Sequence, residues 1–193
     1  MDKLFFFSGN QNKIKEINNL FKHSSVEIIT LKTSLKLSSP KETGLTFAEN
    51  AKIKSSYGFK KINLPCIGDD SGICIKALND KPGTRSKRFL NKFKNDTSAF
   101  DYIIDKINSS KNNLAYFETS ICLTLQSNYH IIFRGKIDGI ISNKPRGKNG
   151  FGYDPIFIPN GFNKTFAEMS SAQKNKVSHR ALAIIKLKNF LIN

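Results

Sequence analysis

Apolar residues recur along the chain in short blocks of two different periods. Lys3–Phe7 is a near-continuous apolar run, the pattern of a buried strand. Ile14, Ile17 and Phe21 then return every three or four positions, which predicts a helix from Gln11 to Lys22. Val26–Leu31 predicts a second strand, and the polar stretch Ser34–Gly44, with Pro40, predicts a loop. A helix is predicted over Thr46–Lys60, with Phe47, Ala51 and Ile53 mostly inward and a capping box formed by Thr46 and Glu49. The segment IGDDSGICI places two carboxylates between apolar runs and predicts two short strands around a turn.

Pro82-Gly83 breaks the chain. Ser98–Ile107 predicts a helix on Phe100, Ile103, Ile104 and Ile107. Tyr116–Gln126 and Tyr129–Ile137 predict a hairpin around Ser127-Asn128, with Ile121, Leu123 and Leu125 on one face. Asn143–Asn149 reads as a polar loop and Ile156–Ile158 as a short strand. Ser178–Leu191 reads as a final helix with Ser178 at its N-cap. There are no repeats and no low-complexity tail, and the mixed order predicts an α/β protein with a long sheet flanked by helices.

Composition adds limits. A chain of 193 residues fits a single domain spanning residues 1–193, with room for an attached lobe. Hydrophobic content is 39%, but sixteen phenylalanines supply large apolar groups. No apolar run approaches the roughly 20 residues of a membrane helix, and MDKLFFFSGN lacks a signal-peptide cleavage pattern. A soluble, cytoplasmic protein without membrane association is expected. Cys66, Cys74 and Cys122 have no metal-ligand spacing and are expected to be buried, reduced thiols. The formal charge of +16 would attract polyanions. However, the arginines are only Arg85, Arg88, Arg134, Arg146 and Arg180, and the lysines are dispersed, as on a solvated coat rather than a nucleic-acid arm.

Candidate chemistry concentrates at a few points. In SGNQNK a strand ends, a glycine turn follows and a helix begins, a setting that favours an anion. Lys13 in that first turn is read either as a phosphate ligand or as a lysine extended to solvent. Glu42, Asp69 and Asp70 are hard oxygen donors without histidine, which suits Mg²⁺ held by one or two carboxylates and substrate phosphates. Neighbouring strand residues point to opposite faces, so one aspartate can be held by a lysine while the other binds a cation. Taken alone, DDSG reads first as an ordinary turn. Lys52 and Lys54 diverge on their helix, and only one is expected to reach the acids. In GKNGFGYDPIF, Gly152 allows close backbone approach and the flanking rings could stack on a base or simply pack. His179 and Arg180 stand in a helix's first turn, against its dipole, unless an acceptor meets them.

The segments SGNQNKIKEI, ETGLTFAENAKIKS, GDDSGICIKAL, PRGKNGFGYDPIF and QKNKVSHRALA, in this order, resemble the inosine triphosphate pyrophosphatase (Ham1-like) family from Ser8 to Ala183. The resemblance implies an elongated α/β fold, with a long mixed sheet, a cleft between two lobes and a homodimer. It implies Mg²⁺-dependent cleavage of ITP, dITP and XTP to the monophosphate and pyrophosphate. Carried over by motif, Ser8, Gly9, Asn10, Gln11, Asn12 and Lys13 would hold the triphosphate. Glu42 and Asp70 would bind Mg²⁺, and Asp70 would also activate water, supported by Asp69 and Lys54. Ser71 would contact substrate, and Phe151, Gly152, Tyr153, Asp154, Lys174, His179 and Arg180 would enclose the nucleoside. Two departures stand out: Gln173 where the family commonly has Glu, and the unusually basic TRSKRF after Pro-Gly.

Two rival readings predict different measurements. A non-catalytic nucleic-acid-binding protein would bind with steep salt dependence, but it gives no reason for the acids. A phosphatase would release orthophosphate instead of pyrophosphate.

Overall fold

The structure is a computed structural model that describes residues 2–30 and 37–192. The expected strand end at Leu31 and the start of the expected loop at Ser34 lie outside the described residues. The elements are β1 (Lys3–Phe7), α1 (Gln11–Phe21), β2 (Glu27–Thr30), α2 (Phe47–Ile62), β3 (Cys66–Ile75), β4 (Lys81–Pro82), α3 (Ser86–Leu90), α4 (Asp96–Ser110), β5 (Leu114–Gln126), β6 (Tyr129–Ile141), β7 (Phe157–Pro159), α5 (Ser171–Val177) and α6 (His179–Ile192). The strands are ordered β2-β1-β3-β5-β6-β7, with β4 on β3. β1 runs parallel to β2 and β3, whereas β4 is antiparallel to β3 and β7 to β6. This is the mixed α/β architecture that the element order implies.

The chain forms two compact units. Unit 1 takes Met1–Asp70, Thr119–Gly135 and Arg180–Asn193; unit 2 takes Ser71–Glu118 and Lys136–His179. In unit 1, β1 is apolar without alternation because both of its faces are covered. Leu4 and Phe6 pack with Ile17, Phe21 and Ile184, while Phe5 and Phe7 pack with Cys66 on the other side. In unit 2, Ile73 and Ile75 join Phe100, Ile103, Ile107, Phe117, Phe157 and Phe166. All three cysteines are free and buried, and burial pushes the Cys66 thiol well above its ordinary range. Among the described residues, no helix is long and apolar enough to cross a membrane.

Several expectations are corrected. IGDDSGICI is not two strands around a turn but the body of one ten-residue strand, β3. It needs no turn because its carboxylates are met by cations, as described below. The segment after Pro82-Gly83 contains a short helix, α3, with Lys87 and Arg88 exposed. A separate helix, α5, precedes α6. Its N-terminus explains the departure at Gln173. Gln173 Oε1 accepts the Ser170 N–H at 2.9 Å and Ser170 Oγ accepts the Gln173 N–H at 3.2 Å, so glutamine closes the capping box as glutamate would.

Candidate active site

Unit 1 gathers its charges where β3 ends its passage through that unit. Asp69 and Asp70 are 2% and 5% exposed, and each is met by a different set of partners. Asp69 accepts from Lys13 Nζ at 2.8 Å and from Arg180 Nη2 at 3.5 Å. Arg180 also pairs with Glu16. Burial by itself would raise the Asp69 carboxyl, but the charges of Lys13, Arg180 and Lys54 outweigh it and hold the group well below the usual carboxylate range. Burial pulls the Lys13 ammonium the other way, below its ordinary value, despite the Asp69 charge. Lys13 is therefore neither extended to solvent nor idle in a helix start that disfavours cations; Asp69 is the acceptor that stabilises it there.

Asp70 belongs to the α2 side. Its Oδ1 lies 3.2 Å from Lys54 Nζ, and its Oδ2 accepts from Asn50 Nδ2 at 3.2 Å. The Lys54 ammonium also lies 2.9 Å from Glu42 Oε1 and donates to the Asp69 carbonyl at 2.9 Å. Although burial alone would lower Lys54, Asp70, Asp69 and Glu42 together raise it above its ordinary value. Burial raises the Asp70 carboxyl, the Glu42 charge adds to this, and Lys54 and Lys13 only partly oppose it. Thr119 Oγ1 donates to the Asp70 carbonyl at 3.1 Å and fixes the backbone beneath. Lys52, the other lysine considered, is exposed.

Glycine makes this approach possible. A Cβ on Gly68 would stand 2.7 Å from Ala51 O, 2.6 Å from Ser55 N and 2.7 Å from Lys54 Cβ. Only a residue without a side chain lets α2 lie this close to β3 and bring Asn50 and Lys54 to Asp70.

The N-terminus of α1 is capped by its own chain. Asn10 Oδ1 accepts from the backbone of Asn12 at 3.0 Å and Lys13 at 3.3 Å, and Ser8 Oγ accepts the Asn10 N–H at 3.2 Å. Gly9, Gln11 and Asn12 are exposed. Ser8–Lys13 is thus an ordered loop and first turn that ends in the lysine held by Asp69.

The remaining expected residues lie in unit 2, apart from Arg180. Ser71 follows Asp70 directly and is half-buried. Asp154 Oδ2 accepts from Lys174 Nζ at 2.6 Å and from the Phe151 N–H at 2.8 Å. The Lys174 ammonium lies 4.9 Å from the centroid of the Phe151 ring and 5.5 Å from that of Phe166, a buried cation set among aromatic faces. Gly152 has φ of +61° and open space where a Cβ would point. Tyr153 is buried and its hydroxyl donates to the Ser86 carbonyl at 2.9 Å, so it braces unit 2 from within. His179 stacks on Phe117 with centroids 4.7 Å apart and planes 7° from parallel.

Asn50 and Glu16 belong to the unit 1 centre and were not singled out from the sequence. The available signal was spacing: Asn50 precedes Lys54 by four residues and Glu16 follows Lys13 by three, so each shares a helix face with a candidate lysine.

The donor set can be compared with the ion it would hold. Among the described residues, no three His, Cys, Asp or Glu side chains are grouped to hold a metal. Glu42 and Asp70 do share one ammonium, so both already face a common cation position. Two carboxylates without nitrogen or sulfur donors fit Mg²⁺, which keeps waters and takes its remaining ligands from a substrate.

Unit 1 of this α/β chain thus buries paired carboxylates, lysines and an arginine around one strand. Residues 4–190 match the Ham1 family, and the chain belongs to that family. It is 36% identical to a dITP/XTP pyrophosphatase of Staphylococcus epidermidis, covering 99% of this chain and 97% of the relative. It is 40% identical to a dITP/XTP pyrophosphatase of Leptospira interrogans, over 95% and 94% of the two chains. A solved Ham1 protein from Coxiella burnetii superposes with a TM-score of 0.88 at 35% identity, covering 100% of this chain and 99% of that one. The Staphylococcus aureus Ham1 protein gives 0.84 at 34% identity, over 98% and 97%.

Proposed function

We propose that the chain hydrolyses non-standard purine nucleoside triphosphates, among them dITP, XTP and ITP, to the monophosphate and pyrophosphate, and so cleanses the nucleotide pool. Family membership and relatives named dITP/XTP pyrophosphatase support the reaction class. The observation that carries the site is the Lys54 ammonium lying between Glu42 and Asp70, beside the buried Lys13–Asp69–Arg180 network.

In this reading Glu42 and Asp70 hold Mg²⁺, which supplies charge neutralisation on the phosphates when bound. Lys13 and the Ser8–Asn12 loop receive the phosphate tail. Asp70, whose proton affinity burial raises, accepts the proton of the attacking water. Lys54 fixes the Asp70 carboxylate, and Asp69 keeps Lys13 in place. Ser71, Phe151, Gly152, Tyr153, Asp154, Lys174 and His179 are assigned to the remainder of the nucleotide. Selection rests on the purine C6 position, an acceptor oxygen in hypoxanthine and a donor amino group in adenine. With the Arg180 guanidinium engaged by Asp69 and Glu16, a donor from His179 in the same segment would bond the first and be left unsatisfied by the second. A homodimer and a cytoplasmic location belong to the same proposal.

The test is a panel of nucleoside triphosphates with Mg²⁺, assayed for both pyrophosphate and orthophosphate. Preferential pyrophosphate release from dITP, ITP and XTP is expected. Orthophosphate as the first product, or no hydrolysis of any of the three, would overturn the proposal.

A further inference from the structure

Asn50 touches both carboxylate-bearing segments at once. It is 2% exposed, in the first turns of α2. Its Oδ1 accepts the Gly44 N–H at 2.8 Å, and its Nδ2 donates to Asp70 Oδ2 at 3.2 Å. Gly44 lies two residues beyond Glu42, so one planar amide joins the Glu42 loop to the Asp70 carboxylate. The amide cannot be flipped without placing its NH₂ against the Gly44 N–H and its oxygen against the carboxylate, so the two bonds fix each other's direction.

The neighbouring contacts make the loop rigid at this point. Glu49 Oε2 accepts the N–H of Leu45 at 2.7 Å and of Thr46 at 3.0 Å. A Cβ on Gly44 would stand 2.6 Å from Glu49 Cβ and 2.8 Å from Asn50 Oδ1, so the loop backbone lies directly on the start of α2. Lys54, one turn further along the same helix face, holds Glu42 Oε1 and Asp70 Oδ1. A lysine alone would not set the spacing of the two acids, because its flexible stem lets the ammonium follow either one. The Asn50 amide is short, buried and bonded at both ends.

We propose that Asn50 is a positioning residue that sets the register between Glu42 and Asp70, so that both carboxylates are aimed at one cation before any ligand arrives. This rests on the Mg²⁺-dependent reading given above. Its consequence is separable from that reading, because the clamp acts on the Gly44 amide whether or not metal is bound. A partner held outside the metal's own ligands is expected to change metal affinity or activity by about 10–100-fold when removed.

The experiment compares the wild type with Asn50→Ala and Asn50→Asp. Three quantities are measured: Gly44 amide hydrogen exchange by NMR without metal, Mn²⁺ binding by EPR, and the Mg²⁺ concentration for half-maximal turnover alongside the KM for dITP. For Asn50→Ala, Gly44 exchange should accelerate, Mn²⁺ binding should weaken, and the Mg²⁺ requirement should rise by ~10–100-fold, with a far smaller change in KM. Asn50→Asp keeps an acceptor for Gly44 but sets a carboxylate against Asp70. Gly44 should stay protected while turnover falls. It also serves as the folded comparison if Asn50→Ala does not fold. Unchanged Gly44 exchange, or an unchanged Mg²⁺ requirement, in folded Asn50→Ala would overturn the positioning role. A wild type that hydrolyses dITP without any divalent ion would overturn the reading beneath it, while the Gly44 exchange would still decide on the clamp.

Discussion

Lys13 and Asp69 form an ion pair of 2.8 Å in which the carboxylate is almost wholly shielded from solvent. Such a pair is strongly destabilising when only one member is removed, because the survivor stays buried without its countercharge. Asp69→Leu is expected to lower stability by about 3–5 kcal/mol. The double change Lys13→Met with Asp69→Leu should lose much less than the sum of the single changes. Urea denaturation of the four proteins measures both quantities, and additive losses would show that the pair does not act as a unit.

Asp70 presents the opposite balance. Burial leads the causes that raise its carboxyl, so the folded state resists its charge. Asp70→Asn removes that charge and keeps the shape but turns an NH₂ toward one of two donors, Lys54 or Asn50, while Lys54 retains Glu42 and the Asp69 carbonyl. The protein should still fold, with stability lowered by no more than about 1–3 kcal/mol for the one unsatisfied donor, and turnover should fall by about 10²–10⁴-fold. An Asp70→Asn enzyme with near-normal turnover would remove Asp70 from the role of base.

Metal removal should separate activity from folding. The described part of the fold packs through ion pairs and apolar clusters. EDTA is thus expected to abolish pyrophosphate release and leave the melting temperature nearly unchanged, with Mg²⁺ restoring turnover. A large drop in melting temperature with EDTA would point instead to a structural ion.

Gly68→Ala tests the approach of α2 to β3. The new methyl would meet the Ala51 carbonyl and the Ser55 amide, both backbone and unable to turn aside. A loss of about 1–3 kcal/mol is expected from overpacking. Turnover should fall with it, since the same helix carries Lys54.

His130 offers a titration far in sequence from these acids. Its Nδ1 lies 3.0 Å from Thr124 Oγ1, which itself donates to Ser55 Oγ at 2.8 Å. Burial, then the Lys52 charge, lowers the imidazole below its ordinary value. The unfolded chain therefore takes up this proton first as pH falls. Stability is fully present above the unfolded pKa of about 6.5 and declines as pH drops below it toward the folded value. His130→Asn should flatten that decline in urea midpoints taken across the range; an identical pH profile would show that this ring does not contribute.

Much of this organisation was legible in the chain because local patterns and tertiary packing agree. β1 has the bounds that its apolar run predicts, and the capping box of Thr46 and Glu49 opens α2 as expected. The acids are legible as hard oxygen donors between apolar runs, whereas the choice of Lys54 over Lys52 rests on the family resemblance. What could not be read is how partners are shared. Arg180 was expected to offer a donor to a base, yet its guanidinium is engaged by Asp69 and Glu16, the latter separated from it by 164 positions. No local period encodes such a distance. α3 and α5 were missed because five and seven residues give too little periodicity to register. The Asp-Ser-Gly signal pointed to a turn because it carries no information about the lysines that let the strand continue.

Unit 1 is stitched from the first, middle and last parts of the chain, and Ala183, Ile184 and Leu187 complete the same core as Leu4 and Phe6. During synthesis the β1 face that carries Leu4 and Phe6 therefore stays only partly covered until α6 has left the ribosome. Arg180 arrives on that same helix, so Asp69 acquires its full set of countercharges only once α6 has emerged. A chain truncated before α6 would leave that core face open and Asp69 short of one countercharge, and should be more readily cut by proteases.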